Sequence, residues 1–372
     1  MKRNITILGG GNGARTAATE IALLGHRVTL YDIEPLAFSL LPIKEAGYIE
    51  AFGRIEGKAQ VKIELNLEKA IDGAELILIV VPTMYQASYA KKLGPILKSG
   101  QHIALMPGSL GSLEFRTELD NIGCDKEITI GEIAALPYAT RIESPLSVHV
   151  FGRRKIVSAG VFPSCKTDEV FHLYEDIYPG IERMRDVLEA GLSNPNPTLH
   201  CLGVLLNAGR IEKSRGDFYY YDEGLTQNVC NAVEAIDQEK IALGKILGLN
   251  LLSLVDTYWK MGYGPKGHNF WEVIRGVSSL VNIKGPETVD SRYLTEDVPI
   301  GLLIYSQLGR QLGVDVRLME SVIHISSALL KRDFIREGRT LTRCGIEGMM
   351  KEQILEYVQT GKKEKLSLSP AD

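Results

Sequence analysis

With 372 residues, 45% of them hydrophobic and 24% charged, the chain has enough material for two separately cored domains, and its composition is neither disordered nor fibrous. Its 42 basic and 46 acidic side chains, a net charge of -4, leave no electrostatic footprint for nucleic acid or an anionic membrane. Five scattered cysteines (Cys124, Cys165, Cys201, Cys230 and Cys344), odd in number and without CxxC spacing, read as reduced cytoplasmic thiols and argue against a metal site.

The start, Met1 to Thr6, is basic but lacks an apolar signal core, so no secretion signal is expected. Ile5–Leu8 reads as a buried strand, Gly9-Gly10-Gly11-Asn12-Gly13-Ala14 as a glycine turn, and Arg15–Leu24 as a helix stopped by Gly25-His26. Arg27–Asp32 follows as a second strand. This is the G-x-G-x-x-A form of the dinucleotide fingerprint. Gly9 permits the tight turn, Gly11 admits a pyrophosphate, and Ala14 lets helix and strand pack closely. The helix start, with Asn12 and Gly13, offers free N–H groups to the phosphates. Asp32, roughly 20 residues further on, would bind a ribose 2′-hydroxyl and repel a 2′-phosphate, which favours NAD over NADP.

Glycines 53 and 57 break the alternation of Tyr48–Lys62 into an extra hairpin. Glu75–Val81 is a near-continuous apolar run, as a parallel strand covered on both faces should be, and is far shorter than a membrane span. A helix is expected from about Tyr85 to Leu97, then a strand over His102–Met106. Ligands of open α/β sheets sit at the carboxyl ends of strands, which makes Pro82, Thr83 and Pro107 candidates for the cofactor edge. Ile128–Ile133 and Val148–Val161 are further strand-like segments. Leu136–Arg141 between them reads as a loop, and Arg141 is a candidate substrate contact, although such a charge more often faces solvent.

From Asp186 onward strand signals nearly vanish. Val204–Lys213, Gly224–Leu247, Ile300–Leu312 and Leu318–Leu330 have helical spacing, ahead of a polar tail after Gly361. The expected architecture is therefore an α/β Rossmann-type dinucleotide-binding domain over residues 1–185 and an all-α substrate domain over residues 186–372. The helical half opens with Ser193-Asn194-Pro195-Asn196-Pro197-Thr198-Leu199-His200. Pro197 suits a first helical position with Asn196 as the cap, so His200 would be aimed from a rigid helix start into the interdomain cleft. Further on, Asp297-Val298-Pro299 precedes a long apolar helix. Asp297 is either a helix cap or the carboxylate that orients His200 as general acid/base. Arg292 offers a bidentate fork for a substrate carboxylate, though an isolated arginine is more often a surface group. The long apolar helices would suit a homodimer, but internal packing explains them equally well.

These residues resemble the opine dehydrogenases (the octopine/nopaline dehydrogenase family) within the 6-phosphogluconate-dehydrogenase-like superfamily. The likeness spans nearly the whole chain. It rests on Gly9-x-Gly11-Asn12-x-Ala14, Leu136-Pro137-Tyr138-Ala139-x-Arg141, Asn194-Pro195-Asn196-Pro197-x-x-His200 and Arg292-Tyr293-Leu294-Thr295-Glu296-Asp297-Val298-Pro299. The segments Lys331–Phe334 and Gly338–Leu341 look like the family's C-terminal helical region. The resemblance implies an oxidoreductase acting on a CH–NH bond: an amino acid and a 2-oxo acid condense to an imine, which NAD(P)H reduces. It implies His200 and Asp297 as the acid/base pair, Arg292, Asn194 and Arg141 on the substrate side, and Glu296 with the glycine loop on the cofactor side. Two rival readings are a simple dehydrogenase of a small hydroxy or amino acid and a non-catalytic NAD(H)-binding sensor.

Overall fold

The computed structural model describes residues 1–363; the polar tail from residue 364 onward lies outside the described residues. Twelve strands form two sheets. In chain order they are β1 (Asn4–Leu8), β2 (Arg27–Tyr31), β3 (Tyr48–Gly53), β4 (Gly57–Gln60), β5 (Lys62–Ile63) and β6 (Leu76–Ile79). Then come β7 (His102–Leu105), β8 (Thr129–Ile133), β9 (Tyr138–Ser144), β10 (Ser147–Arg153), β11 (Ser158–Phe162) and β12 (Glu182–Arg183).

The main sheet has eight strands in the order β12-β11-β8-β7-β6-β1-β2-β5. All its pairings are parallel except β8 with β11. Strand order reverses beside β1, and a crevice opens there at the carboxyl ends of β1 and β6, the place where such sheets bind ligands. The four residues of β6 are fully buried, because helices cover both faces of the sheet. Each such side chain contributes roughly 1.5–3 kcal/mol on burial. The helix Asn12–Leu23 lays Ala14, Ala17, Ala18 and Ile21 on the sheet, the i, i+3, i+4, i+7 stripe of one helical face. Gly25, with φ of +93°, ends it in a left-handed turn.

The second sheet, β4-β3-β10-β9, corrects two expectations. The hairpin around glycines 53 and 57 forms, but β3 also pairs in parallel with β10, nearly a hundred residues away. Residues 136–141 are not all loop: from Tyr138 on they belong to β9, paired antiparallel with β10. Val148–Val161 is split at Arg154-Lys155-Ile156-Val157, β10 going to the small sheet and β11 to the large one. Local alternation predicts a strand but not which sheet it joins.

After β12 the chain is helical, beginning with Val187–Leu192. Asp186 caps this helix, its carboxylate accepting from Leu188 N at 2.8 Å and Glu189 N at 3.1 Å. The helix Asn196–Leu205 is apolar nearly all round and buried, packed against Gln227–Ile246 and residues 297–302. It stops at Leu206-Asn207, so the expected Val204–Lys213 helix is two shorter ones, the second being Ala208–Ser214. The chain's later part returns to the nucleotide side, where Tyr357 meets Phe162 edge-on at 5.1 Å. No helix among the described residues is long and apolar enough to cross a membrane.

Candidate active site

The crevice beside β1 is a cleft of about 610 Å³ lined by residues 9–13, Asp32, Val80–Pro82, Pro107, Leu136 and residues 138–141, with Arg292 reaching in from the helical half. At the turn after β1 the first position requires glycine. Gly9 has φ of +119°, and a Cβ there would lie 2.3 Å from the Val80 carbonyl oxygen. At Gly11 the space is open. The backbone can therefore be approached closely where the helix Asn12–Leu23 presents its N–H groups, with no side-chain cap and no acid in the first turn to compete for them. This cradle fits a dinucleotide pyrophosphate. Ala14 lies beneath it in the core, packing helix to sheet. The Asn12 side chain faces the other way: its Oδ1 accepts from Ile142 N at 2.8 Å and fastens β9 to the glycine turn.

Asp32 stands at the end of β2, mostly buried, with Oδ1 accepting from Ile33 N at 2.8 Å. Burial pushes its carboxyl above the ordinary value, while the Ile33 and Gly10 amides and the Arg15 charge pull it back. Arg15 is itself buried under the loop, bonded to the carbonyls of Gly10, Ser39 and Pro145.

The second centre is His200. The structure corrects its cap: Pro195 holds the cap position and Asn196 begins the helix with no side-chain cap bond, while Asn194 Oδ1, one residue further out, accepts from Asn196 N at 3.2 Å. Asn194 also donates to Ser109 Oγ at 3.0 Å, fastening the helix start to the loop after β7. His200 Nδ1 lies 2.8 Å from Asp297 Oδ2, Nε2 lies 3.1 Å from the Tyr221 hydroxyl, and the ring stacks on Tyr293 at 4.1 Å. A carboxylate only accepts, so the neutral ring carries its proton on Nδ1 and its lone pair on Nε2, toward Tyr221. Burial raises the Asp297 carboxyl, and the His200 hydrogen bond opposes that rise. The expected long helix begins here as a π-helical turn, residues 297–302, before Leu303–Gln311. The extra residue in that turn is the kind of irregularity that re-aims side chains at functional sites.

Glu296 and Arg292 take roles that sequence spacing does not reveal. Glu296 Oε1 accepts from both the N–H (2.8 Å) and the hydroxyl (2.9 Å) of Thr83, and Oε2 takes Arg292 Nε at 2.6 Å. Glu296 and Thr83 thus join the two halves of the molecule rather than line the cleft. Pro82 and Pro107 do line it. Arg292 is held by Glu296 yet mostly exposed, with donors left over on the cleft side. Arg141 is exposed on β9 at the same cleft.

Three residues were not singled out by sequence reasoning. Tyr221 belongs to the Phe218–Tyr221 aromatic run, the one cue that could have flagged it; Tyr293 sits unremarked inside the Arg292–Pro299 motif. Arg339 is fully buried and donates to Glu114 (2.7 Å), Gln86 (2.9 Å) and the carbonyls of Thr83, Gly108 and Ser109. It organises the loops after β6 and β7 from the far end of the chain.

Residues 183–330 match the model of the NAD/NADP octopine/nopaline dehydrogenase α-helical domain, and residues 4–109 that of the NAD-dependent glycerol-3-phosphate dehydrogenase N-terminus. The chain is 34% identical over 360 residues to an opine dehydrogenase of Arthrobacter sp. (strain 1C), covering 96% of this chain and 99% of that protein. It is 28% identical over 348 residues to the protein ocs of Agrobacterium tumefaciens (strain Ach5), covering 92% and 96%. A solved octopine dehydrogenase with NADH and L-arginine shares the fold at a TM-score of 0.76 and 19% identity, covering 98% of this chain and 99% of that one.

Proposed function

The chain belongs to the opine dehydrogenase family, and from that premise we propose that His200 and Asp297 serve the reductive condensation of an amino acid with a 2-oxo acid to a secondary-amine dicarboxylate. The observation that carries the reading is the His200–Asp297 pair at 2.8 Å, one residue along from the Glu296 latch on the cofactor half. A bound nicotinamide dinucleotide supplies the hydride that reduces the imine carbon. The glycine cradle would hold its pyrophosphate and Asp32 its adenosine ribose, and Asp32 would favour NAD over NADP.

His200 Nε2 takes a proton from the substrate ammonium, freeing the nitrogen lone pair to attack the carbonyl carbon of the oxo acid. The imidazolium so formed is stabilised by Asp297, then returns the proton to the carbinolamine hydroxyl, which leaves as water and yields the protonated imine. Arg292 holds the oxo-acid carboxylate with the donors not engaged by Glu296. Asn194 keeps the helix bearing His200 in register with the cofactor loops, and Arg141 guards the cleft mouth. The five unpaired thiols suit a reducing compartment such as the cytoplasm.

The test is NADH oxidation by purified protein over a panel of amino acids, each with and without pyruvate, glyoxylate or 2-oxoglutarate. Oxidation only when both partners are present supports condensation. Oxidation with an oxo acid alone would replace it with a simple dehydrogenase.

A further inference from the structure

We propose that Arg154 binds a carboxylate of the amine substrate, from a second cavity adjoining the cofactor cleft; the proposal rests on the reductive-condensation reading above. The cavity, about 310 Å³, is lined by residues that include Ala135, Arg154, Ser193, Thr257 and Met261. It begins where the cofactor cleft ends: Ala135 faces this cavity, and the next residue, Leu136, faces the cleft. Ser193 likewise precedes Asn194, whose amide holds the loop after β7. The space is large enough for an amino acid and lies between the two halves, the usual position of a substrate pocket.

Arg154 is the one cation on the cavity lining without a carboxylate partner among the described residues. The other two cations are paired, Lys260 with Glu182 at 2.9 Å and Arg183 with Asp168, while the Glu189 carboxylate accepts the backbone N–H of Arg185 at 2.6 Å. Arg154 makes no salt bridge among the described residues, and its Nε is buried without a hydrogen-bond partner. A buried guanidinium donor left unpaired is costly, and a ligand carboxylate supplies the missing acceptor in bidentate form. The guanidinium lies over the Tyr263 ring, 5.7 Å from its centroid, which restricts its plane. Tyr258 packs against Tyr263 and Phe270. Burial raises the Tyr258 phenol and the Arg154 charge opposes that rise; Tyr258 in turn influences the buried Tyr221 phenol, which meets His200 Nε2.

The product chemistry calls for such a group. Its two carboxylates flank the new C–N bond. Arg292 serves the cofactor side, and Arg154 is the unpaired cation on the other. The carboxylate it takes is either the α-carboxylate of the amino acid or one carried by its side chain.

The experiment compares wild type with Arg154→Gln and Arg154→Lys, all checked by thermal melting. It measures KM for an amino acid and its α-amide, for glutamate against glutamine, and for the oxo acid, with amino-acid binding by calorimetry in the presence of NADH. The expected result is an amine KM raised about tenfold or more by Arg154→Gln and partly restored by Arg154→Lys, with oxo-acid KM and NADH affinity within about twofold. A penalty that disappears with the α-amide assigns the α-carboxylate; one confined to glutamate assigns the side-chain carboxylate. An unchanged amine KM in folded Arg154→Gln, or a rise in oxo-acid KM instead, overturns the proposal. Should wild type lack two-substrate turnover, the condensation reading fails, and the calorimetry still decides Arg154: equal binding by both proteins, or none by wild type, refutes it.

Discussion

Replacing Asp297 by Asn isolates the chemistry assigned to the His200 pair while leaving its shape. The carboxylate lies 2.8 Å from Nδ1, and the two side chains are only 9% and 14% exposed, so water does little to screen the interaction. The amide loses the charge that balances an imidazolium. When it turns its NH2 toward the ring it also forces the proton onto Nε2, the position that must accept one. A positioned acid/base contributes about 10²–10⁴-fold, or about 2.7–5.4 kcal/mol of barrier at 1.36 kcal/mol per decade. The assay is single-turnover NADH oxidation with saturating amine and oxo acid, alongside NADH binding by fluorescence. The expected outcome is a rate lower by about 10²–10⁴-fold with NADH affinity unchanged, because Asp297 does not line the cofactor cleft. The His200→Ala, Asp297→Asn double variant should be scarcely slower than His200→Ala alone, since the two act as a unit. A single variant within about threefold of wild type would refute the assignment.

Asp32→Ser removes the ribose carboxylate. It should weaken NADH binding by about tenfold or more, the worth of hydrogen bonds to a charged group, while leaving NADPH no weaker; fluorescence titration reads both. Arg339→Met leaves Glu114 buried and unpaired. Urea unfolding should show a loss of roughly 3–5 kcal/mol, and a loss under 1 kcal/mol would mean the pair is dispensable. Arg3 pairs with Glu75 at 2.8 Å and Asp176 at 2.7 Å, and against the upward push of burial it holds both carboxyls below their ordinary values. Carboxyls depressed in the folded state stabilise above their unfolded pKa and lose that contribution as pH falls through the folded one. Arg3→Ala should therefore cost about 1 kcal/mol at neutral pH, a figure that allows for the partial exposure of Glu75, and progressively less as pH falls below the ordinary carboxyl range; a deficit that does not shrink with pH would show that packing, not charge, is lost.

The nucleotide-binding turn was legible because everything it needs is local: strand, glycines, small helix face and acid follow one another within 32 residues. The pairing of β3 with β10 was not legible, because no nearby residue encodes a partner nearly a hundred positions away. His200 and Asp297 could be read from motifs, while the work of their neighbours could not. Glu296 lies in the same motif, yet its partner is a threonine 213 positions earlier. Neither asparagine caps the helix: Pro195 takes the cap position and Asn194 only ties down the Asn196 amide, because turn geometry, not residue type, sets where the helix begins. Arg154 looks in the sequence like any surface arginine; only its buried Nε and the pairing of the cations near it, Lys260 with Glu182 and Arg183 with Asp168, make its isolation visible.

Arg339 also bears on how the molecule comes into being. A chain released before that residue would keep every glycine of the phosphate cradle and the whole eight-stranded sheet. It would nonetheless strand a buried Glu114 without its cation and leave the carbonyls of Thr83, Gly108 and Ser109 without their donor. The nucleotide-binding half is therefore not a separable module that could be excised or grafted elsewhere. It is finished by a residue 230 or more positions after the loop carbonyls it holds, so a truncation ahead of Arg339 is also a lesion of the cofactor site.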